Sequence, residues 1–415
     1  MLYSFLYKLV VLLAVLPVTI VFFCYKRGRH LWWQRFGLWG QNFPSANYVW
    51  FHAASAGEVG GLLPVIQELE KQAPLTSILT CTSPTGLNKA AQHFRYKYLL
   101  PFDHYLFYTL ALNNRLPQLL VITETELWPG LIQYLNKRGV KIVIINARLS
   151  SDYQQKLSLI SQLIRPAVQL INRFYCQDEL TRQRLLALQV SPEKIEVVGN
   201  SKFDGLSQYV QGARPAQIYK KTKAVVVLGS LRPGEEEFWL SSFSTYADRI
   251  QFVLVPRHLE FVSKLEDRLK RANLECEFWS EYDNSPELPT LSGKLLVIDR
   301  IGILLSFYSS ADLAFIGGTL LPGYGGHNPL EPVAFNVPIL IGPYNANQEG
   351  MYQDLIQKQA CLAVNSAQEI ESAIQKLIDS QDASFDYQIK QASEYLKLQL
   401  GAAQTLANAI RKTLI

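Results

Sequence analysis

At 415 residues the chain is longer than one hydrophobic core usually organises, so two domains are expected. Its 48% hydrophobic and 18% charged residues exclude a disordered chain, and a net charge of only +5, spread evenly, excludes a typical nucleic-acid binder. Five scattered cysteines, Cys24, Cys81, Cys176, Cys276 and Cys361, lack metal-type spacing and suit a reducing compartment rather than a disulfide framework.

Leu2 to Phe23, LYSFLYKLVVLLAVLPVTIVFF, carries one charge, Lys8. As a helix it would be about 33 Å long, enough for a bilayer core. CYKRGRH follows, and Lys26, Arg27 and Arg29 place the following body on the cytoplasmic side by the positive-inside rule. A cleaved signal peptide would have its basic residues first and a small-residue site after, the reverse of this order. Lys8 and Pro17 also allow a helix that dips in without spanning; a single N-terminal anchor over 1–30 is the expectation. The next stretch, HLWWQRFGLWG, mixes three Trp with basic residues and is expected at the headgroup level, against the alternative of a core-covering segment.

From Asn47 on, apolar β-rich runs alternate with helical stretches: YVWFHA, TSILTCT, KYLLP, LLVIT, KIVIIN, RFYCQ and IEVVG. This rhythm predicts a parallel sheet buried on both faces. It breaks at the polar stretch GLSQYVQGARPAQIYKKT and resumes with AVVVLGS, QFVLVP, LLVID, LAFIGG and PILIG. The expected fold is therefore α/β, two Rossmann-like doubly wound domains divided near Gly212, as 31–211 and 212–415. The last helix is free to return to the first domain. Ligands of such sheets bind beyond the carboxyl ends of the strands, which here would face a cleft.

HAASAGEVGG follows the first strand and sets Glu58 among side chains too small to cover it. Glu58 either complements the dipole of the helix it opens or serves as a general base with room for a substrate hydroxyl. VITETELWPG places Glu124 and Glu126 after an apolar strand, on one face if alternation persists. They are read as catalytic acids or as ion-pair partners of residues such as Arg148 in NARLS.

Just before the expected boundary, VVGNSKFD carries Lys202, placed to reach a phosphate across the cleft or simply solvated. VLGSLRPGEEEFW offers Ser230 at a strand end, with Glu235, Glu236 and Glu237 suited to a helix's first turn. VPRH adds Arg257 and His258. GGTLLPGYGGHNPLEP is the most informative stretch: glycines including Gly325 and Gly326, then Asn328, Pro329 and Glu331 in the order of a capped helix start. Glu331 either closes a capping box or accepts hydrogen bonds from a ribose, while the loop amides hold a phosphate. No GxxxxGK[ST], GxGxxG after a strand, HExxH, CxxC pair or GxSxG is present, so neither metal nor cofactor chemistry is indicated.

HAASAGEVGG, TETELWP, NARLS, VVGNSKFD, GSLRPGEEE, VPRH and GGHNPLEP, in this order, resemble the 3-deoxy-D-manno-octulosonic acid (Kdo) transferases of lipopolysaccharide synthesis. The resemblance implies a membrane-anchored, metal-independent, inverting glycosyltransferase of GT-B arrangement. It would take Kdo from CMP-Kdo to a lipid A precursor at the cytoplasmic face of the inner membrane, with no nucleic-acid partner. It makes 31–211 the acceptor-binding and 212–415 the CMP-sugar-binding domain. It makes Glu58 the base, sets Ser55 and Gly57 in its small-residue motif and Glu124 in its second acidic motif. Lys202, Ser230, Arg257, Asn328 and Glu331 fall in the donor motifs. Arg232 stands where the family often has His, and Ala56 where Val is frequent. Spacing alone leaves room for a transferase using a UDP-sugar, or for a non-catalytic nucleotide-binding module at a membrane.

Overall fold

The computed structural model describes residues 7, 9–15, 17–19, 29–40, 43–44, 47–150, 161–212, 218–282, 290–291, 294–379 and 383–414. Most of the expected anchor lies outside them. Among the described residues no helix is long and apolar enough to cross a membrane.

The chain forms two compact units. One runs to Gly205 and takes back Gln399–Ile415; the other is Leu206–Leu398. The chain divides at the start of the polar stretch containing Gly212, between Gly205 and Leu206.

The first unit holds β1 (Val49–His52), β2 (Ser77–Cys81), β3 (Tyr96–Leu99), β4 (Leu119–Thr123), β5 (Lys141–Ala147), β6 (Arg173–Cys176) and β7 (Ile195–Val197). They pair in parallel in the order β3-β2-β1-β4-β5-β6-β7. Alternate side chains enter separate cores. Trp50, Leu120, Ile122, Ile142 and Ile144 lie on one face, and Val49, Phe51, Val121, Val143 and Ile145 on the other. Burial on both faces is why these strands read as unbroken apolar runs. On the second face α1 (Ala56–Gln72) meets the final helix, Ala402–Leu414. That helix contributes Leu406, Ala407 and Ile410 to the core. Asp204 accepts the amides of Gly401 and Ala403 at its start, at 2.6 and 2.8 Å, in the manner of an N-cap supplied from elsewhere in the chain.

The aromatic segment 30–40 departs from the membrane-surface expectation. Trp32 and Trp39 are buried, and Trp39 stacks on Tyr98 at 4.7 Å. The Arg35 guanidinium donates to the carbonyls of Leu100 and Thr82. The protein offers these rings a dry site and the cation two acceptors, so most of the segment covers the core; Trp33 and Leu38 remain exposed.

The second unit holds β8 (Ala224–Leu231), β9 (Ile250–Pro256), β10 (Cys276–Phe278), β11 (Leu295–Val297), β12 (Leu313–Ile316), β13 (Ile339–Ile341) and β14 (Leu362–Ala363). It is again parallel, in the order β10-β11-β9-β8-β12-β13-β14. Each sheet reverses its winding at one place, between β1 and β4 and between β8 and β12, and leaves a crevice at the strands' carboxyl ends there.

Candidate functional site

In the first unit the loops after β1 and β4 flank the switch point, and they carry the three acids. Ser55 caps α1. Its hydroxyl accepts from the Glu58 amide at 3.3 Å and lies 3.0 Å from Glu58 Oε1, while Glu58 Oε2 accepts the Ala54 amide at 2.7 Å. Glu58 therefore does complete a cap at the helix start. Yet these bonds do not dominate its electrostatics. Burial, then the nearby Glu124 and Glu126 carboxylates, push its carboxyl up to about 7, against the lowering by the Ala54 amide and Ser55. A carboxyl titrating near neutrality suits a proton acceptor. A Cβ added at Gly57 would meet only Ser55 Oγ, at 3.6 Å, so that side of the loop is open.

Glu124 sits at φ 59°, a left-handed conformation that a non-glycine residue adopts at a cost of about 1–3 kcal/mol. Its carboxylate binds Lys202 and lies 3.8 Å from Arg148. Lys202, expected on a donor phosphate, is thus engaged within the first unit, its side chain packed along Gly61. The ion-pair reading holds for Glu124. Burial and Glu124 also push the Glu126 carboxyl up.

His52, which sequence reasoning passed over, ends β1 fully buried. Its Nε2 accepts from Trp128 at 3.1 Å, and its Nδ1 bonds Thr80 Oγ1 at 2.9 Å. Burial lowers its pKa to about 3, so it stays neutral and fixes the Trp128 indole beside Glu126. The signal was a polar residue closing an otherwise apolar strand.

In the second unit the loops after β8 and β12 meet at the other switch point. Ser230, at φ 57°, is left-handed like Glu124, and its carbonyl lies where a Cβ on Gly317 would stand 2.3 Å away. Close approach of these two strand ends is what requires Gly317.

The glycine-rich loop is filled differently from expectation. Glu235, read as suited to a helix's first turn, is fully buried. It accepts the amides of Gly318, Thr319 and Leu320 at 2.8–2.9 Å and that of Arg232 at 2.9 Å. A carboxylate of the protein itself occupies the first amides of the loop, so a phosphate is not needed there. Glu236 is buried as well, paired with Arg268. Replacing Glu235 with Ala would strand three buried donors and one partly buried one and is expected to destabilise the fold by about 3 kcal/mol or more. Thermal unfolding and amide exchange at Gly318–Leu320 would register it; an unmoved midpoint would reject the role.

Around the rest of the loop the charge is positive. The Arg232 Nε donates to His327 Nε2 at 3.3 Å, and its guanidinium lies 5.1 Å from the Tyr324 ring. Arg257 and His258 are exposed at the end of β9. Burial, then Arg257, Arg232 and His258, press the His327 pKa down to about 3. Neither Arg232 nor Arg257 has an ion-pair partner within 4.0 Å among the described residues. Asn328 Oδ1 accepts the Leu330 amide at 3.1 Å, and Asn328 Nδ2 donates to Glu331 Oε1 at 3.3 Å. The expected capping box is thus replaced by a side-chain pair on a four-residue helix, Leu330–Val333. Burial pushes the Glu331 carboxyl up, with Asn328 and Arg257 opposing. Gly326, at φ 76°, donates to the Gly318 carbonyl at 2.8 Å; Gly325, at φ 77°, accepts from the Asn347 amide at 2.8 Å.

The chain's likenesses accord with this arrangement. The family model of 3-deoxy-D-manno-octulosonic-acid transferase (kdotransferase) matches residues 30–205. The Haemophilus influenzae 3-deoxy-D-manno-octulosonic acid transferase is 31% identical over 364 residues, 84% of each chain. The protein of that name from Chlamydophila psittaci is 32% identical over 337 residues, 79% of this chain and 76% of that one. Among solved structures, UDP-GlcNAc 2-epimerase from Neisseria meningitidis superposes with a TM-score of 0.61. It is 15% identical over 88% of this chain and 99% of that chain, a likeness of fold alone.

Proposed function

The chain belongs to the Kdo transferase family, a family of glycosyltransferases, and from that premise we propose that it moves Kdo from CMP-Kdo to a lipid A precursor with inversion, using Glu58 as general base and no metal ion. The observation that carries this reading is the Glu58 carboxyl, held by its own helix cap yet pushed up to about 7 beside an open glycine.

The acceptor hydroxyl oxygen attacks the anomeric carbon of Kdo and its proton passes to a Glu58 oxygen. The bond from that carbon to the CMP phosphate breaks, and its electron pair leaves with CMP. A hydroxyl is a poor nucleophile until its proton has somewhere to go, and a carboxyl titrating near 7 is a stronger base than an ordinary carboxylate while still partly deprotonated at neutral pH. Lys202 and Arg148 hold Glu124 in place beside Glu58, and His52 does the same for Trp128.

The donor carries a phosphate and a sugar carboxylate. Arg257 and Arg232, without an ion-pair partner within 4.0 Å among the described residues, are placed to receive them, and Ser230, His258 and the later loop amides lie at the same strand ends. Asn328 orients the Glu331 carboxyl, which accepts from the ribose hydroxyls. The N-terminal segment holds the chain on the cytoplasmic face of the inner membrane, where the acyl chains of the acceptor reside.

Purified full-length protein given CMP-Kdo and a lipid A precursor is expected to yield product heavier by whole Kdo residues, with one CMP released per residue, by mass spectrometry. Turnover of a UDP-sugar instead, or thermal stabilisation by UDP and not by CMP, would overturn the assignment.

A further inference from the structure

A membrane-spanning helix that joins the body at its basic, C-terminal end carries its first residues away from the body. Residues 7 and 23 of such a helix stand about 24 Å apart along its axis. The structure places Tyr7 on the body itself. Its hydroxyl donates to Asp103 Oδ2 at 2.5 Å. Asp103 is buried and also accepts from the Tyr108 hydroxyl and the Gly130 and Leu131 amides, at 2.7, 2.8 and 2.7 Å. Those donors belong to α2 (Tyr105–Leu112) and α3 (Pro129–Asn136) of the first unit, so the acid is fixed independently of Tyr7.

The rest of the described segment agrees. Its residues are helical, and Tyr7, Val11, Ala14, Val15 and Val18 are partly covered, the spacing of one helix face. Leu9, Val10, Leu12, Leu13 and Pro17 are exposed, and every one is apolar. The body carries the same character onward. A Cβ on Gly37 would stand 3.1 Å from Leu110 Cβ, which sets exposed Leu38 beside exposed Leu110. Tyr105, also exposed, shares a cavity of about 280 Å³ with Lys137 and Arg138, a cationic rim next to the apolar side chains.

We infer that the N-terminal helix lies along the body in the plane of the membrane, latched by Tyr7 to Asp103, and dips its outer face into one leaflet of an anionic phospholipid bilayer without crossing it. An apolar helix face beside aromatic and cationic side chains has the composition of an interfacial helix. The inference rests on the reading that the chain works at the cytoplasmic face, and it alters what the apolar segment does there.

The test is the sidedness of the N-terminus in the full chain. A protease-cleavable epitope is placed ahead of Met1, and Lys270→Cys, at a position 65% exposed, reports the body in a Cys24→Ser, Cys276→Ser background. Inverted and right-side-out inner-membrane vesicles receive protease or a membrane-impermeant maleimide. Near-complete loss of the epitope in inverted vesicles, with retention in right-side-out ones, is expected, matching the maleimide labelling of Lys270→Cys. Epitope loss from right-side-out vesicles alone would overturn the inference and restore a spanning anchor. Labelling of Lys270→Cys from right-side-out vesicles would instead overturn the cytoplasmic-face reading, and Kdo transfer assayed in the same vesicles keeps the catalytic reading separate from both.

Discussion

Glu58→Gln is expected to lower Kdo transfer by about 10²- to 10⁴-fold, the contribution of a positioned general base, with donor affinity changed by less than about twofold. The substitution is close to isosteric. The Gln oxygen can still accept the Ala54 amide, and Ser55 still caps α1, so the helix start survives. What disappears is the ability to take a proton. A general base works deprotonated, so kcat of the parent protein is expected to fall about tenfold per pH unit below pH 7. Glu126→Gln removes one of the charges that raise the Glu58 carboxyl and should move that limb to lower pH. The same shift sets a stability trend of known sign. A carboxyl raised from 4.5 to about 7 contributes stability that is complete below pH 4.5 and lost as pH rises through 7. Glu58→Gln should therefore melt at or above the parent's temperature at pH 8 and lose that advantage toward pH 4. Parental turnover in the Gln variant would leave Glu58 as a capping residue only.

The dipole reading of Glu58 and the base reading do not exclude one another. A carboxylate in the first turn of a helix suits the dipole, and this one also accepts the Ala54 amide ahead of the Ser55 cap. Its pKa is set first by burial and then by Glu124 and Glu126, which follow another strand, so spacing could not reveal it. The strand runs were legible because burial on both faces makes them continuous. β10 and β14 were not: CEF and LA are short edge strands with no apolar run to announce them. Lys202 illustrates the limit for charged groups. Its loop reads equally well as a phosphate contact or a solvated turn, and only the fold brings it to Glu124, 78 positions away in sequence. Glu235 is the sharper case. Three successive Glu at a helix start all suit the dipole, but the turn is a 3-10 helix that buries both Glu235 and Glu236, and the partners of Glu235 are amides 83 to 85 residues later. A glycine-rich loop therefore signals exposed amides without saying whether the ligand or the protein fills them.

Arg257→Ala is expected to raise the KM for CMP-Kdo about 10- to 150-fold, the span set by losing one charge-assisted contact of about 1.5–3 kcal/mol. The argument starts from the charge imbalance of the free protein. Burial and the nearby Arg257 disfavour the charge on Arg232, burial with Arg257 and Arg232 alongside presses the His327 pKa down to about 3, and neither arginine has an ion-pair partner within 4.0 Å among the described residues. That arrangement works against the ligand-free protein and is relieved by an anion. Removing Arg257 should therefore leave the melting temperature unchanged or higher while binding weakens, the opposite of a structural ion pair. The His327 pKa, followed by NMR, should rise toward its ordinary value of 6.5 in the same variant. Glu331→Ala separates the nucleoside end from the phosphate end. Its helix has only four residues, so a lost cap there costs the fold little. A raised CMP dissociation constant with a small change in melting temperature identifies a ligand contact, whereas an unchanged constant returns Glu331 to the partner of Asn328. Unchanged KM in Arg257→Ala would move the donor phosphate away from this strand end altogether.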